Sequence, residues 1–184
     1  MQRLIIITGD LAAGKSTLAA ALSADLKIPF LTKDSLKEIA CDAIGYDTRE
    51  ENRQLSIAAT NDMIYFFKQC AAVGNNLILE ANFRQNELFE IEQIVEQYDY
   101  QVVLIVLRGD IHLLYQRFID RLANRHIAHR SMNLEESMDK FASYINQLRN
   151  EDLVFFPHYI DMTNLDEDEV TENALEIIEG ELGD

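Results

Sequence analysis

The sequence predicts an α/β fold, a parallel sheet covered by helices on both faces, and three observations predict it. Short apolar runs alternate with longer stretches of helical apolar spacing, giving five strands with helices between them. The first run, Leu4-Ile5-Ile6-Ile7-Thr8, is β-branched and apolar enough to be a buried strand. It leads through a loop flanked by Gly9 and Gly14 into an Ala/Leu-rich helical stretch, Lys15–Leu26.

The remaining elements follow in order. Pro29-Phe30-Leu31 forms a short second strand, and residues 34–42 a helix for which Asp34 and Ser35 are both favourable N-terminal residues. Residues 45–49 make a turn, and residues 50–72 a long helix with apolar side chains at helical spacing. Gly74-Asn75 turns the chain into a third strand over 76–81, and residues 87–97 are helical. The fourth strand covers 101–107, helices cover 110–126 and 134–148, and a short fifth strand at 158–162 precedes a terminal helix. There are no repeats or low-complexity linkers, and the two prolines are Pro29 and Pro157.

The 184 residues read as one domain over 1–184, with 48% apolar and 26% charged residues as in ordinary globular proteins. No apolar run approaches the roughly 18–20 residues of a membrane span, and the N-terminal run is too short for an export signal. Cys41 and Cys70 have no metal-type spacing and are too few for a disulfide framework, so a reducing cytoplasm is expected. The net charge of −16 is unevenly spread. From Asp161 to Asp184 there are acids and no bases, whereas Arg108, Arg117, Arg121, Arg125 and Arg130 form a basic island. An island of this kind suits a local anion such as a nucleotide, and the acidic remainder argues against a polynucleotide.

Gly9-Asp10-Leu11-Ala12-Ala13-Gly14-Lys15-Ser16 is a complete Walker A phosphate loop in strand–loop–helix context. Its glycines allow successive N–H groups, from Gly9 through Asp10, Leu11, Ala12 and Ala13 to Gly14, to converge on phosphate oxygens. The positive end of the following helix points at the same place. Lys15 is expected to reach the β- and γ-phosphates, the Ser16 hydroxyl to ligate Mg²⁺, and Thr17 to lie near the α-phosphate.

Ligands on such sheets bind beyond the carboxyl ends of the strands. Asp34, just past the second strand, reads either as a helix cap or as a carboxylate that accepts a hydroxyl proton and binds the acceptor. Glu80 ends an otherwise apolar strand, where a buried charge needs a partner, either Mg²⁺ through water or an arginine. Arg84 is a candidate for an acceptor phosphate or carboxylate. Arg117, Arg121 and Arg125 recur at i, i+4 and i+8, on one face of the expected helix. There Arg117 would assist nucleotide binding while Arg121 and Arg125 close on the γ-phosphate, within a lid of about residues 117–134 that also carries His126, His129 and Arg130. An acceptor pocket is expected between Asp34 and Arg84. Its wall is the long helix carrying Met63, Ile64, Tyr65, Phe66 and Phe67, with Ser56, Thr60 and Asn61 as candidate contacts.

The phosphate loop, an acid after the second strand, an acid-to-arginine segment after the third and an arginine-bearing helix after the fourth occur in this order. The chain thereby resembles the small P-loop kinases, above all small-molecule kinases related to shikimate and gluconate kinases, polynucleotide kinase and zeta-type toxins. The resemblance implies a three-layer P-loop NTPase fold with strand order 2-3-1-4-5. Glu80-Ala81-Asn82-Phe83-Arg84 is similar to the Asp-Gly-x-Pro-Arg of nucleoside monophosphate kinases, but has Glu for Asp and lacks the Gly and Pro. That departure counts against a nucleoside monophosphate as acceptor. The expected activity is ATP- and Mg²⁺-dependent phosphoryl transfer to a hydroxyl of a small molecule or nucleoside-like acceptor. The competing readings are a nucleotide-dependent switch that phosphorylates nothing and a polynucleotide 5′-hydroxyl kinase.

Overall fold

The computed structural model describes residues 2–129 and 133–182, so Arg130 of the expected lid lies outside the described residues. Five strands form one parallel sheet in the order β2-β3-β1-β4-β5, as the resemblance implies. The strands are β1 Gln2–Gly9, β2 Phe30–Thr32, β3 Leu77–Glu80, β4 Tyr100–Arg108 and β5 Pro157–Asp161. The helices are α1 Lys15–Leu26, α2 Lys33–Ile44, α3 Arg49–Ala72, α4 Gln85–Tyr98, α5 Ile111–Arg121, α6 Met138–Arg149 and α7 Glu167–Leu182.

The alternation of side chains along β1 builds two cores. Ile5 and Ile7 join Ile78, Ile105 and Leu107 on the face covered by α1, α5, α6 and α7. Leu4 and Ile6 join Leu79, Leu104 and Val106 on the face covered by α3 and α4, where Phe67 packs edge-on against Tyr100. Both faces are buried, which is why a near-continuous apolar run serves as the central strand. Met63, Ile64 and Phe67, candidates for a pocket wall, are buried in this second core, and Tyr65 and Phe66 are exposed. A third, smaller cluster joins Cys41 of α2 and Leu55 of α3 to Ala128.

Register brings the functional ends level. Thr32 pairs with Glu80, and Glu80 with Ile7, so β2 and β3 finish level with each other and β1 runs two residues further, to Gly9, before the loop. At the end of β1, Gly9 takes φ 121, and a Cβ there would lie 2.1 Å from the Leu107 carbonyl oxygen of β4. The Asp10 amide donates to that same oxygen at 2.9 Å. Only glycine lets the chain leave the sheet here.

The continuous helix expected over 110–126 is shorter. It ends at Arg121, gives way to a 3₁₀ turn at Leu122–Asn124, and leaves Arg125 extended at φ −75, ψ 133. Tertiary contacts override propensity here, because the next turn, Ile127–His129, is held against α2 and α3 rather than continuing the helix. The stretch expected as a helix over 134–148 begins as a 3₁₀ turn, Leu134–Glu136. Its α-helix starts only after Ser137, whose hydroxyl accepts the Lys140 amide at 3.2 Å. No helix among the described residues is long and apolar enough to cross a membrane.

The two loop glycines separate steric from conformational cost. Gly9→Ala is expected to lose more than about 3 kcal/mol, because β4 must move. Gly14→Ala, at φ 87 with nothing within 4 Å of its missing Cβ, is expected to lose about 1–2 kcal/mol from backbone strain alone. Urea unfolding of both variants measures the difference.

Candidate active site

Strand ends, helix starts and the 118–129 segment enclose one large cavity of about 1270 Å³. The loop forms its floor, with Leu11, Ala12, Ala13, Gly14, Lys15, Ser16 and Thr17 all lining it. Gly14 caps α1 in a left-handed conformation, and the first-turn N–H groups of α1 have no helical acceptors, so they are available to an anion. Ala12 sits at φ 60, a conformation that costs a residue with a side chain about 1–2 kcal/mol. The loop therefore stores strain beside its anion-binding face.

Lys15 is buried, and its Nζ donates to the Asp10 carbonyl at 2.7 Å and the Gly9 carbonyl at 3.3 Å. Burial pushes its pKa down, opposed chiefly by the negative charge of Glu80. Burial likewise pushes Glu80 up, opposed chiefly by Lys15. The Ser16 hydroxyl donates to Glu80 Oε2 at 2.9 Å. A hydroxyl and a carboxylate side by side at the head of the loop are hard oxygen donors, the type Mg²⁺ takes alongside phosphate oxygens and water. Among the described residues no cluster of three or more His, Cys, Asp or Glu side chains can hold a metal alone, so these donors would share the ion with a ligand.

Asp10 lines the loop in sequence but not the cavity. Its carboxylate is 1% exposed and forms a two-point ion pair with Arg149 of α6, Oδ2 accepting Nη2 at 2.6 Å and Oδ1 accepting Nε at 3.1 Å. Oδ2 also accepts the Gly109 amide at 3.1 Å, and Arg149 Nη2 donates to the Gly109 carbonyl at 2.7 Å. The side chain of Asp10 is thus an anchor behind the loop, joining it to β4 and α6. No sequence spacing pointed to Arg149, whose partner lies 139 residues away.

Asp34 does not cap α2. Thr32 does, accepting the Ser35 amide at 3.2 Å, which leaves the exposed Asp34 carboxylate facing the cavity. Glu80 and Arg121 line the same space, and Arg121 is near enough to Lys15 to oppose its charge. Arg125 lines it too, with its guanidinium 4.9 Å over the Phe118 ring, and burial lowers its pKa. Arg117 does not: with the helix ending at Arg121 the three arginines do not form one helical face, and Arg117 Nη1 lies 3.7 Å from Met162 Sδ after β5. Arg84 reaches the cavity but is ion-paired with Glu151.

The wall opposite the loop comes from the start of α3, through Asn52, Ser56 and Ile57, rather than from its middle. Thr60 is buried and donates to Ser56 O at 3.1 Å and Glu87 Oε1 at 3.1 Å, while Asn61 is exposed. Lys37, Tyr144 and Asn82 also line the cavity, and no motif in the sequence marks them. Lys37 lies one turn after Asp34 on α2, a spacing that marks a shared face. Asn82 Oδ1 is buried without a hydrogen-bond partner among the described residues, an acceptor that a bound molecule can satisfy.

The chain matches the AAA domain family over residues 5–148, and it belongs to that family. No curated protein matches it by sequence. Its fold is that of P-loop kinases. It is similar to a provisionally named kinase of Chloroflexus aurantiacus at 24% identity and TM-score 0.79, covering 95% of this chain and 97% of that one. It is similar to shikimate kinase of Aquifex aeolicus at 16% identity and TM-score 0.61, covering 96% of each chain. It is also similar to the Mycobacterium tuberculosis APS kinase CysC, solved with AMPPNP and APS, at 11% identity and TM-score 0.62, covering 97% and 98%.

Removing one half of the anchor strands the other. Arg149→Met is expected to destabilise by about 3 kcal/mol, because it leaves the buried Asp10 carboxylate unpaired. The double variant Asp10→Leu/Arg149→Met is expected to recover most of that loss, measured as non-additivity in thermal or urea unfolding.

Proposed function

We propose that this P-loop chain is an ATP- and Mg²⁺-dependent phosphotransferase that moves a γ-phosphate to a hydroxyl of a small-molecule or nucleoside-like acceptor. One observation carries the reading: a carboxylate released from capping, Asp34, faces the same cavity as the loop, the Ser16–Glu80 pair and Arg121. A switch that only binds nucleotide has no use for that carboxylate. The APS kinase neighbour, solved in complex with both AMPPNP and APS, supports a cavity that takes two ligands.

On this reading Lys15 and the loop amides hold the β- and γ-phosphates, with Thr17 toward the α-phosphate. Ser16, and Glu80 through water, would hold Mg²⁺, which when bound neutralises phosphate charge. Asp34 accepts the proton of the acceptor hydroxyl as its oxygen attacks phosphorus. Arg121 and Arg125 stabilise the charge of the transferring group, and Arg84 lines the acceptor side. Arg117, beside Met162 and outside the cavity lining, takes no part in holding the phosphates. The acidity outside the cavity suits a free small molecule better than a nucleic acid. The buried free thiols of Cys41 and Cys70 suit a reducing cytoplasm.

The test is ATP turnover with Mg²⁺ across nucleosides, sugars, hydroxy acids and amino alcohols. A compound that accelerates ADP release and becomes phosphorylated is the expected outcome. Tight ATP binding with no acceleration by any acceptor would overturn the reading in favour of a switch. With the acceptor in hand, Asp34→Asn is expected to lower kcat by about 100-fold or more while ATP affinity stays near that of the wild type.

Glu80→Gln keeps the shape of the side chain and removes its charge. It is expected to weaken Mg²⁺-dependent turnover by about 10–100-fold, with nucleotide affinity in the absence of Mg²⁺ little changed. A magnesium titration of turnover, set beside nucleotide binding in EDTA, separates the two effects.

A further inference from the structure

One face of α2 meets the segment that carries the arginines. Asp34, Lys37, Glu38, Cys41 and Asp42 fall at i, i+3, i+4, i+7 and i+8, a single helical stripe. Lys37 Nζ donates to the Ala128 carbonyl at 2.6 Å and to Asn52 Oδ1 at 2.7 Å, and Asn52 Nδ2 donates to the same carbonyl at 3.0 Å. Ala128 is fully buried against Cys41 and Leu55. His126 Nε2 lies 3.1 Å from Asp42, and the Tyr46 hydroxyl donates to the Ile127 carbonyl at 2.7 Å. This seam fixes the position of the next residue, His129.

The His129 side chain is 8% exposed and stands between two carboxylates of the stripe. Its Nε2 is 2.8 Å from Glu38 Oε1, and its Nδ1 is 3.8 Å from Asp34 Oδ1. Nε2 is within hydrogen-bond distance of Glu38, whereas the separation of Nδ1 from Asp34 is that of a longer electrostatic contact. The neighbouring cations are Lys37 and Arg125, both near enough to Asp34 to interact with it, and the His126 ring is centred 6.3 Å away.

We propose that His129 is a positioning residue for phosphoryl transfer: held by Glu38, its ring fixes the carboxylate of Asp34, so that the base is oriented only when the 127–129 turn is docked on α2. The proposal rests on the reading of Asp34 as the base. Glu38 sets the orientation of the ring, as the third member of an acid–base constellation does, and the ring sets that of Asp34.

The test needs no acceptor. The full chain is labelled with ¹⁵N-histidine, and its ring nitrogens are observed at neutral pH with Mg²⁺ and a non-hydrolysable ATP analogue. The chain has four histidines, and His129→Gln assigns the signal. The expected result is that the His129 Nε2 signal responds to Glu38→Gln and the Nδ1 signal to Asp34→Asn. A His129 ring indifferent to either substitution overturns the proposal. Either result would leave the kinase reading standing, because acceptor turnover decides that separately. Conversely, full phosphoryl transfer by Asp34→Asn would remove the base, and the positioning role with it, whatever the ring spectrum.

Discussion

Everything at this site depends on how closely β1 and β4 approach where the loop begins. The Gly9 Cα faces the Leu107 carbonyl so closely that no side chain fits between them, and the next amide donates to that oxygen. The loop is thereby launched from the sheet at a fixed height and direction. Asp10 then fastens it from behind through Arg149 and Gly109. With its outer surface held, the loop can keep Ala12 in a left-handed conformation, strain that a free turn would relax.

The electrostatics follow from the same geometry. The chain carries −16 overall, yet Lys15 is buried at the head of the loop among carbonyls it cannot neutralise. Glu80 supplies the opposing charge, and each of the two is pushed by burial toward its neutral form while the other resists. Such a pair contributes little to stability, because desolvation consumes most of the Coulombic gain. It is better understood as a site prepared for further charge. Phosphate oxygens favour the ammonium, and a divalent cation favours the carboxylate.

The architecture was legible because it rests on local signals. Leu4 to Thr8 reads as a doubly buried strand, and Gly9 to Ser16 as a phosphate loop, from neighbours in sequence. Asp34 and Glu80 were legible as acids at strand ends, and register places Thr32 and Glu80 side by side. What stayed hidden was long-range. Asp10 belongs to a loop whose members ordinarily face the ligand, and nothing nearby shows that its side chain turns to Arg149, 139 residues on. Arg117, Arg121 and Arg125 have perfect helical spacing, but the helix stops at Arg121 because Ala128 is drawn into the cleft between α2 and α3. Periodicity cannot report a helix that tertiary contacts cut short. His129 looked like a loop residue for the same reason: its partners, Glu38 and Asp34, lie more than ninety positions earlier.

That early stop has a consequence for the proposed chemistry. A helix continuing through Arg125 would carry its arginines outward along one axis and would not bring residue 129 back to α2. By ending at Arg121 and turning twice, a segment of nine residues, 121–129, lines the cavity with Arg121 and Arg125 and sets His129 beside Asp34. Ordering a segment costs conformational entropy of about 1–2 kcal/mol per residue, and here one ordering step would serve both reactants. The docking contacts that offset this cost are Lys37 and Asn52 on the Ala128 carbonyl and Ala128 itself in an apolar socket, all three in the wall of the cavity. On the proposed reading, then, the arginines over the phosphates and the base under the acceptor hydroxyl are positioned by the same short stretch of backbone. Alignment of the two would be a property of the docked turn rather than of either ligand.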